Sequence, residues 1–353
     1  MPEPLVSVII VNHNRAALLE SCLRSLLKPQ GVPFEVVVVD NGSQDDSAAV
    51  VQSFAAAAPF HVRLLRNAEN LGFCAANNQG IRASAAPFVA LLNNDAEAEP
   101  QWLAHLCTAF EDPCMGMAAS KILVYGDPRI IDKAGHLIWL DGQNRGRGTG
   151  EVDRGQYDRI EEVLWPDGCA CMYRRAMLDE IGLFDEDLFA YGDDAELGLR
   201  ARIAGWRCLY VPQAVVRHHR GATLGVASPR RLALIERNRV LLAVKHFPPD
   251  LLLLNPLFFA LRAAAGAWAA LRGRGEAGRI EGAGGKLKAF LAVLRGDMEA
   301  LALLPRTWRK RRALRPLRRL SNAEVRRLLL RHRIRLRELS EQAAFPRGAD
   351  QRA

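Results

Sequence analysis

Leu5-Val6-Ser7-Val8-Ile9-Ile10-Val11 is an apolar, β-branched run that stops at the polar turn Asn12-His13-Asn14. Such a run has almost no solvated side, so it predicts a strand buried on both faces of a sheet. The chain then alternates. Ala16–Leu27 places Leu18, Cys22, Leu23 and Leu26 at helical spacing, and Phe34–Val39 is a second buried strand ended by Asp40-Asn41-Gly42-Ser43. Ser47–Ala57 reads as a helix, Val62–Leu65 as a strand, Cys74–Ala83 as a helix and Phe88–Leu92 as a further strand. This alternation predicts an α/β sandwich with a mainly parallel sheet. Ligands of such sheets bind at the carboxyl ends of the strands, where Asn12–Asn14, Asp40–Ser43 and Asn93–Asp95 all fall.

Further on, the pattern predicts a helix over Gln101–Glu111, a strand over Met117–Tyr125, and a loop or hairpin over the Gly- and charge-rich Gly142–Asp158. Val163–Tyr173 reads as a strand and Arg175–Ile181 as a short helix. Asp193–Ala204 reads as a helix stopped by Gly205, and Cys208–Val211 and Ala214–Val216 as short strands. Beyond Leu224 the chain turns to Arg-, Leu- and Ala-rich helical patterns. A boundary is expected near residue 225, between an α/β domain (1–225) and a helical, Arg-rich region (226–353).

With 353 residues, 49% hydrophobic and 25% charged, the chain can bury a sizeable core, which excludes wholesale disorder. Its net charge of +9 is uneven, because Arg and Lys crowd the segment after about residue 215. That asymmetry points to an anionic partner, nucleic acid or a membrane surface. No known nucleic-acid-binding motif accompanies the arginines, which argues against nucleic acid. The seven cysteines read as reduced, mostly core thiols of a cytosolic protein. Cys169 and Cys171 would share one side of a strand and lack zinc-knuckle spacing. The acid-bearing start, Met-Pro-Glu-Pro, reads as no signal peptide. Leu251–Leu271 is the most apolar stretch, but it holds Pro256 and Arg262. A span needs about 20 nearly unbroken apolar residues, so the segment reads as one lying on a membrane, or as part of a helical appendage or dimer contact.

Three clusters carry chemistry. Leu91-Leu92-Asn93-Asn94-Asp95 opens a strand onto a carboxylate that could share a divalent cation with a diphosphate; taken alone it is a turn before a helix. Asp193-Asp194 at a helix start could supply a base for a hydroxyl proton, or merely complement the helix dipole. Arg217-His218-His219-Arg220 could complete a metal shell, or be a solvated loop.

Order along the chain changes the weight of these clusters. Val-Ser-Val-Ile-Ile-Val-Asn-His-Asn (6–14), Val-Val-Asp-Asn-Gly-Ser (38–43), Asn70-Leu71-Gly72-Phe73 with Asn78-Gln79-Gly80, and Leu-Leu-Asn-Asn-Asp (91–95) come first. Asp167-Gly168 through Arg174-Arg175, Gly182–Glu186, Tyr191–Glu196, Arg200–Val211 and His218-x-x-Gly221-x-Thr223 follow. This series resembles the family 2 glycosyltransferases of the GT-A fold, particularly their rhamnosyltransferase-like bacterial members, from Val6 to about Thr223. The resemblance implies an inverting glycosyltransferase, with Asn12, Asp40, Asn70, Gly72, Asn78 and Asn94 around the nucleotide-sugar. It implies Asp194 as base with Asp193 beside it, and Asp95 with His218, or else His219, at Mg2+ or Mn2+. Asn93 replaces the first acid of the family's metal motif, so the metal site is lean in charge. The expected partners are a nucleoside-diphosphate sugar and a glycan or polyprenyl-linked acceptor, at the cytoplasmic face of a bacterial inner membrane. Two rivals remain: a sugar-phosphate nucleotidylyltransferase, whose Gly-rich phosphate loop is missing after the first strand, and a non-catalytic nucleotide-sugar sensor or scaffold.

Overall fold

A computed structural model describes residues 2–219, 228–272 and 282–340. The expected boundary near 225, Gly221 and Thr223 of the last motif, and residues 273–281 of the Gly-rich break lie outside the described residues.

Strands β1 (Val6–Asn12), β2 (Phe34–Asn41), β3 (Val62–Asn67) and β4 (Phe88–Leu92) run parallel in the order β4-β1-β2-β3. Side chains alternate faces along a strand. Val6, Val8 and Ile10 therefore join Val36 and Val38 in one buried cluster, and Ile9 joins Val37 and Val39 in another. The first face is covered by α1 (Ala16–Ser25), α2 (Ser47–Ala57) and α4 (Trp102–Thr108), the second by α3 (Phe73–Arg82). α3 lies so close that a Cβ on Gly80 would meet Ile9 at 2.5 Å.

The sheet continues past β4 through β11 (Ala170–Arg174), antiparallel to both neighbours, to β6 (Met115–Val124), β12 (Arg207–His218) and the short β10 (Glu161–Glu162). β5 (Ala96–Ala98) pairs with β12, and β7 (Asp127–Lys133) with β6. Asn93–Asp95 thus leads into a strand, not a helix, and the helix-start reading of that turn is overturned. Gly142–Asp158 contains β9 (Asn144–Gly146), which forms a hairpin with β8 (His136–Ile138).

Other expectations need correcting. The strand expected over Val163–Tyr173 begins only at Ala170, because Asp167 and Gly168 spend their polar groups in a turn. Cys169 sits in that turn and Cys171 in the strand, so the two fall in different core clusters rather than on one side. The two short strands after Gly205 are one, β12, with a register shift between Val211 and Val215. All seven cysteines are free, and Cys114 is exposed rather than in the core.

α5 (Arg175–Ile181) and α6 (Asp193–Ile203) complete the second layer. The C-terminal helices are α7 (Pro229–His246), α8 (Pro249–Leu271), α9 (Gly282–Ala313), α10 (Asn322–Arg331) and α11 (Leu336–Ser340). All but α11 reach the same core: Leu241, Leu242, Phe247, Leu251, Ala300, Val325 and Leu329 are buried in one cluster with Ile9, Val37 and Leu197. Each such Leu, Val or Phe side chain contributes about 1.5–3 kcal/mol, and a domain's whole stability is about 5–15 kcal/mol. The change in composition near 225 is therefore no break in the core.

Candidate active site

Register assembles the site. Asn12 pairs with Asp40 across β1 and β2, at the carboxyl ends of both strands. Asn12 donates to Ser43 Oγ at 3.1 Å and accepts from Asn94 Nδ2 at 2.7 Å. Asp40 is buried, accepts from the Ser43 amide, and has Arg66 Nε 3.8 Å away. Asn41 donates to Asn70 Oδ1 at 3.0 Å and to the Gly72 carbonyl. Gly72 has φ +89, and a Cβ there would meet the Phe189 ring at 2.5 Å, so only glycine suits this wall. Asn78 is placed differently. It is buried and spends its amide on the Phe184 carbonyl, the Phe184 amide and Glu186. It shapes the cleft by holding the 184–186 loop and offers nothing to a ligand directly.

The pairing of His218 with Ala96 brings β12 beside Asp95. His218 Nε2 lies 3.3 Å from Asp95 Oδ1, and His218 Nδ1 lies 2.7 Å from Asp132 Oδ2. His219 turns away: its ring stacks on Tyr125 at 3.7 Å and its Nε2 meets Glu97 at 3.3 Å. Of the two histidines, His218 is the one whose ring reaches Asp95. Burial opposes charge on His218, yet Cys169, Asp95 and Asp132 raise its pKa well above the ordinary value. Burial likewise works against charge on Asp95, but His218 outweighs it and lowers the pKa. Beyond its 3.3 Å approach to His218 Nε2, buried Asp95 Oδ1 has no hydrogen-bond partner among the described residues. An orphaned carboxylate oxygen beside an imidazole, itself oriented by a second carboxylate, fits a divalent cation. Such a cation would displace the imidazole proton.

Asp193 and Asp194 open α6, after the left-handed residues Phe189, Tyr191 and Gly192. Asp194 Oδ1 accepts from the Ala195 amide at 2.7 Å, and Oδ2 from the Gly168 amide at 3.3 Å. His136 Nε2 lies 2.8 Å from Asp167 Oδ2 and 3.5 Å from Asp194 Oδ2, and Lys133 Nζ lies 2.5 Å from Asp167. Burial pushes Asp167 up, but Lys133 and His136 hold it well below the usual carboxylate range. The ligand atoms of His136, Asp167 and Asp194 fall within 4.8 Å of one another, a spacing that could hold a metal. The Lys133 ammonium already supplies positive charge there, which works against a cation at that cluster.

Burial first, then the neighbouring Asp194 charge, raises Asp193 above the usual carboxylate range. Burial also raises Asp194, against the pull of His136. His136 and Lys133 favour the charged form of Asp194, an influence that Asp193, raised by burial, lacks. The raised folded-state pKa of Asp193 means that, between the ordinary and raised values, the folded protein holds a proton the unfolded chain has released. Stability then falls as pH rises through that window. Asp193→Asn is expected to melt above the parent near about pH 9, with the gap closing toward about pH 5. Parallel melting curves across that range would show that Asp193 titrates normally.

The turn Asp167-Gly168-Cys169 joins the two halves, because Gly168 donates to Asp194 while the Cys169 carbonyl accepts from the Asn93 amide at 2.8 Å. Asp40, Asp95, Asp194 and His218, far apart in sequence, thus sit at one edge of one sheet.

The family model for glycosyl transferase family 2 matches residues 7–182. The chain belongs to that family. An N-acetylglucosaminyl-diphospho-decaprenol L-rhamnosyltransferase of Mycobacterium tuberculosis is 29% identical over 266 residues, spanning 69% of this chain and 85% of that protein. An uncharacterized protein of the same organism is 30% identical over 273 residues, 75% of this chain and 81% of its own length. Among solved structures, the mannosyltransferase PcManGT of Pyrobaculum calidifontis, in complex with GDP-Man and Mn2+, aligns with a TM-score of 0.52 at 19% identity, covering 93% of this chain and 87% of that one. That likeness shows the fold. The protein is a GT-A glycosyltransferase using a nucleotide-sugar donor.

This family 2 chain also holds site residues that its motifs did not flag. Asp132, Lys133 and His136 are three, and a charged pair directly after Ile130-Ile131 was the available signal. Another is Asn238 on α7. Its Nδ2 lies within 2.9 Å of the Leu188, Ala190 and Tyr191 carbonyls, and Arg237 donates to the Asp187 and Leu188 carbonyls. Together they hold the strained loop that aims Asp193 and Asp194. Left-handed non-glycine residues such as Phe189 and Tyr191 cost about 1–3 kcal/mol each, so the clamp must offset that strain. Asn238→Ala is expected to lose about 1–3 kcal/mol by chemical denaturation and to lower kcat by about tenfold. Stability loss with kcat unchanged would make Asn238 a purely structural residue.

Proposed function

We propose that the protein is an inverting, metal-dependent glycosyltransferase. It moves a sugar, a deoxysugar such as rhamnose, from a nucleoside-diphosphate donor to a hydroxyl of a glycan or lipid-linked acceptor in bacterial cell-surface polysaccharide synthesis. The observation that carries this reading is Asp194 at the mouth of α6, 3.5 Å from His136 and joined through the 167–169 turn to the strand end that leads to Asp95.

In the reaction, Asp194 takes the proton of the acceptor hydroxyl as that oxygen bonds to the anomeric carbon. The bond from that carbon to the diphosphate oxygen breaks on the opposite face, and the nucleoside diphosphate departs. A divalent cation, Mg2+ or Mn2+, held by Asp95 and His218 would neutralise charge on the leaving diphosphate. Asp132 orients His218, Asn12 and Asn94 line the strand ends, and Asp40 faces the base of the nucleotide. One displacement inverts the anomeric centre, so no glycosyl–enzyme intermediate is required.

The acceptor class draws support from the rhamnosyltransferase relative, whose name places its acceptor sugar on a decaprenyl diphosphate. Peripheral attachment at the cytoplasmic face of the inner membrane would bring the site to such a lipid. In support, Leu253, Leu257 and Trp268 of α8 and Phe290, Leu291 and Met298 of α9 are exposed, beside basic residues suited to anionic headgroups. α8 is long and apolar enough to cross a membrane. Its Arg262, however, bonds Asp141 and Glu236 and its Asn255 bonds the Asp141 carbonyl, which favours a helix held on the protein with one face outward.

The test is nucleotide release from a panel of dTDP-, UDP- and GDP-sugars with Mn2+ and polyprenyl-diphosphate-linked acceptors. Acceptor-dependent release from one donor supports the proposal. Tight donor binding with no release under any acceptor would favour the sensor reading.

A further inference from the structure

An Arg-lined cavity of about 240 Å³ lies between α6, α7 and the end of α9. It is lined by Arg200, Lys245, His246, Arg311, Arg315 and Arg318. It sits at the carboxyl end of α6, whose 11 residues span about 16 Å from the Asp193–Asp194 end, so it is distinct from the donor cleft.

The charges around it are unbalanced. Glu196 meets Arg200, Lys245 and His246, and Asp185 meets Lys245 and Lys310, which uses up the nearby acids. Arg311, Arg315 and Arg318 have no carboxylate partner among the described residues. Arg311 caps the end of α7 by donating to the Val244 and Phe247 carbonyls, and Arg318 bonds Asn322. Burial, then the charges of Arg318 and Arg315, lower the pKa of Arg311. Buried Arg200, in the cavity wall, has an Nε with no acceptor. Capping explains Arg311; nothing among the described residues explains two more guanidiniums lining the cavity beside it. Like charges this close repel one another, and an anion between them would relieve the repulsion. Guanidinium forks match phosphate oxygens in pairs.

We propose that this cavity binds a phosphate group. Pro249 on its lining begins α8, and Leu253, one turn on, is 82% exposed. The phosphate can therefore come from a lipid headgroup, as well as from free phosphate.

The test uses the full chain and the pair Arg315→Gln/Arg318→Gln, with Arg309→Gln/Arg312→Gln as an equal-charge control outside the cavity. In one arm, inorganic phosphate is titrated against chloride at matched ionic strength, with melting temperature as readout. In the other, vesicles of phosphatidylcholine alone, or with phosphatidylglycerol, are sedimented with the protein. Phosphate should raise the melting temperature of the parent and the control, with an affinity at least about tenfold weaker in the cavity pair. If the source is a lipid headgroup, retention on phosphatidylglycerol vesicles should also fall by about fivefold or more in the cavity pair, and far less in the control. A phosphate effect without the vesicle effect assigns the site to free phosphate. Should the pair fold poorly, Arg315→Gln alone, at an exposed position, replaces it. Equal behaviour of parent and cavity pair in both arms, or equal losses in the control, overturns the proposal. Transfer to a soluble acceptor should be unchanged in the cavity pair, so this outcome is separable from failure of the glycosyltransferase reading.

Discussion

Asp194→Asn is expected to lower kcat by about 10³-fold while leaving donor affinity within a few-fold of the parent. The substitution keeps the size of the side chain and its contacts with Gly168 and Ala195 near at hand, but it cannot accept the hydroxyl proton. Asp193→Asn should act more mildly on turnover, because burial and the neighbouring Asp194 raise the Asp193 pKa and so disfavour its charged form. Turnover and binding are measured separately, by initial rates and by calorimetric titration of the donor. Near-normal turnover in Asp194→Asn removes it from the mechanism. Loss of turnover in Asp193→Asn alone would exchange the roles of the two acids.

Chelation is the second large effect. EDTA should silence transfer, and Mn2+ or Mg2+ should restore it. Asn93 stands where a second acid would add affinity, so a cation held by Asp95 and a neutral His218 should wash out readily. Asp95→Ala should weaken donor binding in Mn2+ by about 10- to 100-fold, and Asp132→Asn, which loosens His218, by a smaller factor. The same titration without metal should show no difference between Asp95→Ala and the parent. Full activity in EDTA, or metal-independent donor affinity in the parent, would exclude a metal role for Asp95 and His218.

The legible parts of this fold were those decided by neighbours in sequence. β1, β2 and β4 are β-branched runs whose alternate residues fill two core layers, and α6 carries its own stop at Gly205. β5 is Ala-Glu-Ala and has no signature of its own; it is a strand because β12 pairs with it. That pairing places His218, not His219, beside Asp95. The partners of His218 and Asp167 escaped notice for the same reason, since Asp132 lies 86 residues from His218 and Lys133 lies 34 from Asp167. The composition change near 225 is real, but composition reports the surface of the C-terminal helices. Their buried faces, with Phe247 and Leu329, complete the core of the catalytic half, and Asn238 reaches back to the catalytic loop.

The most direct measurement is the anomeric configuration of the product, read from the proton coupling at the new glycosidic carbon by NMR and compared with that of the donor. A single displacement driven by Asp194 predicts inversion. Retention would contradict it, because one displacement from the face opposite the leaving diphosphate cannot leave the anomeric configuration unchanged.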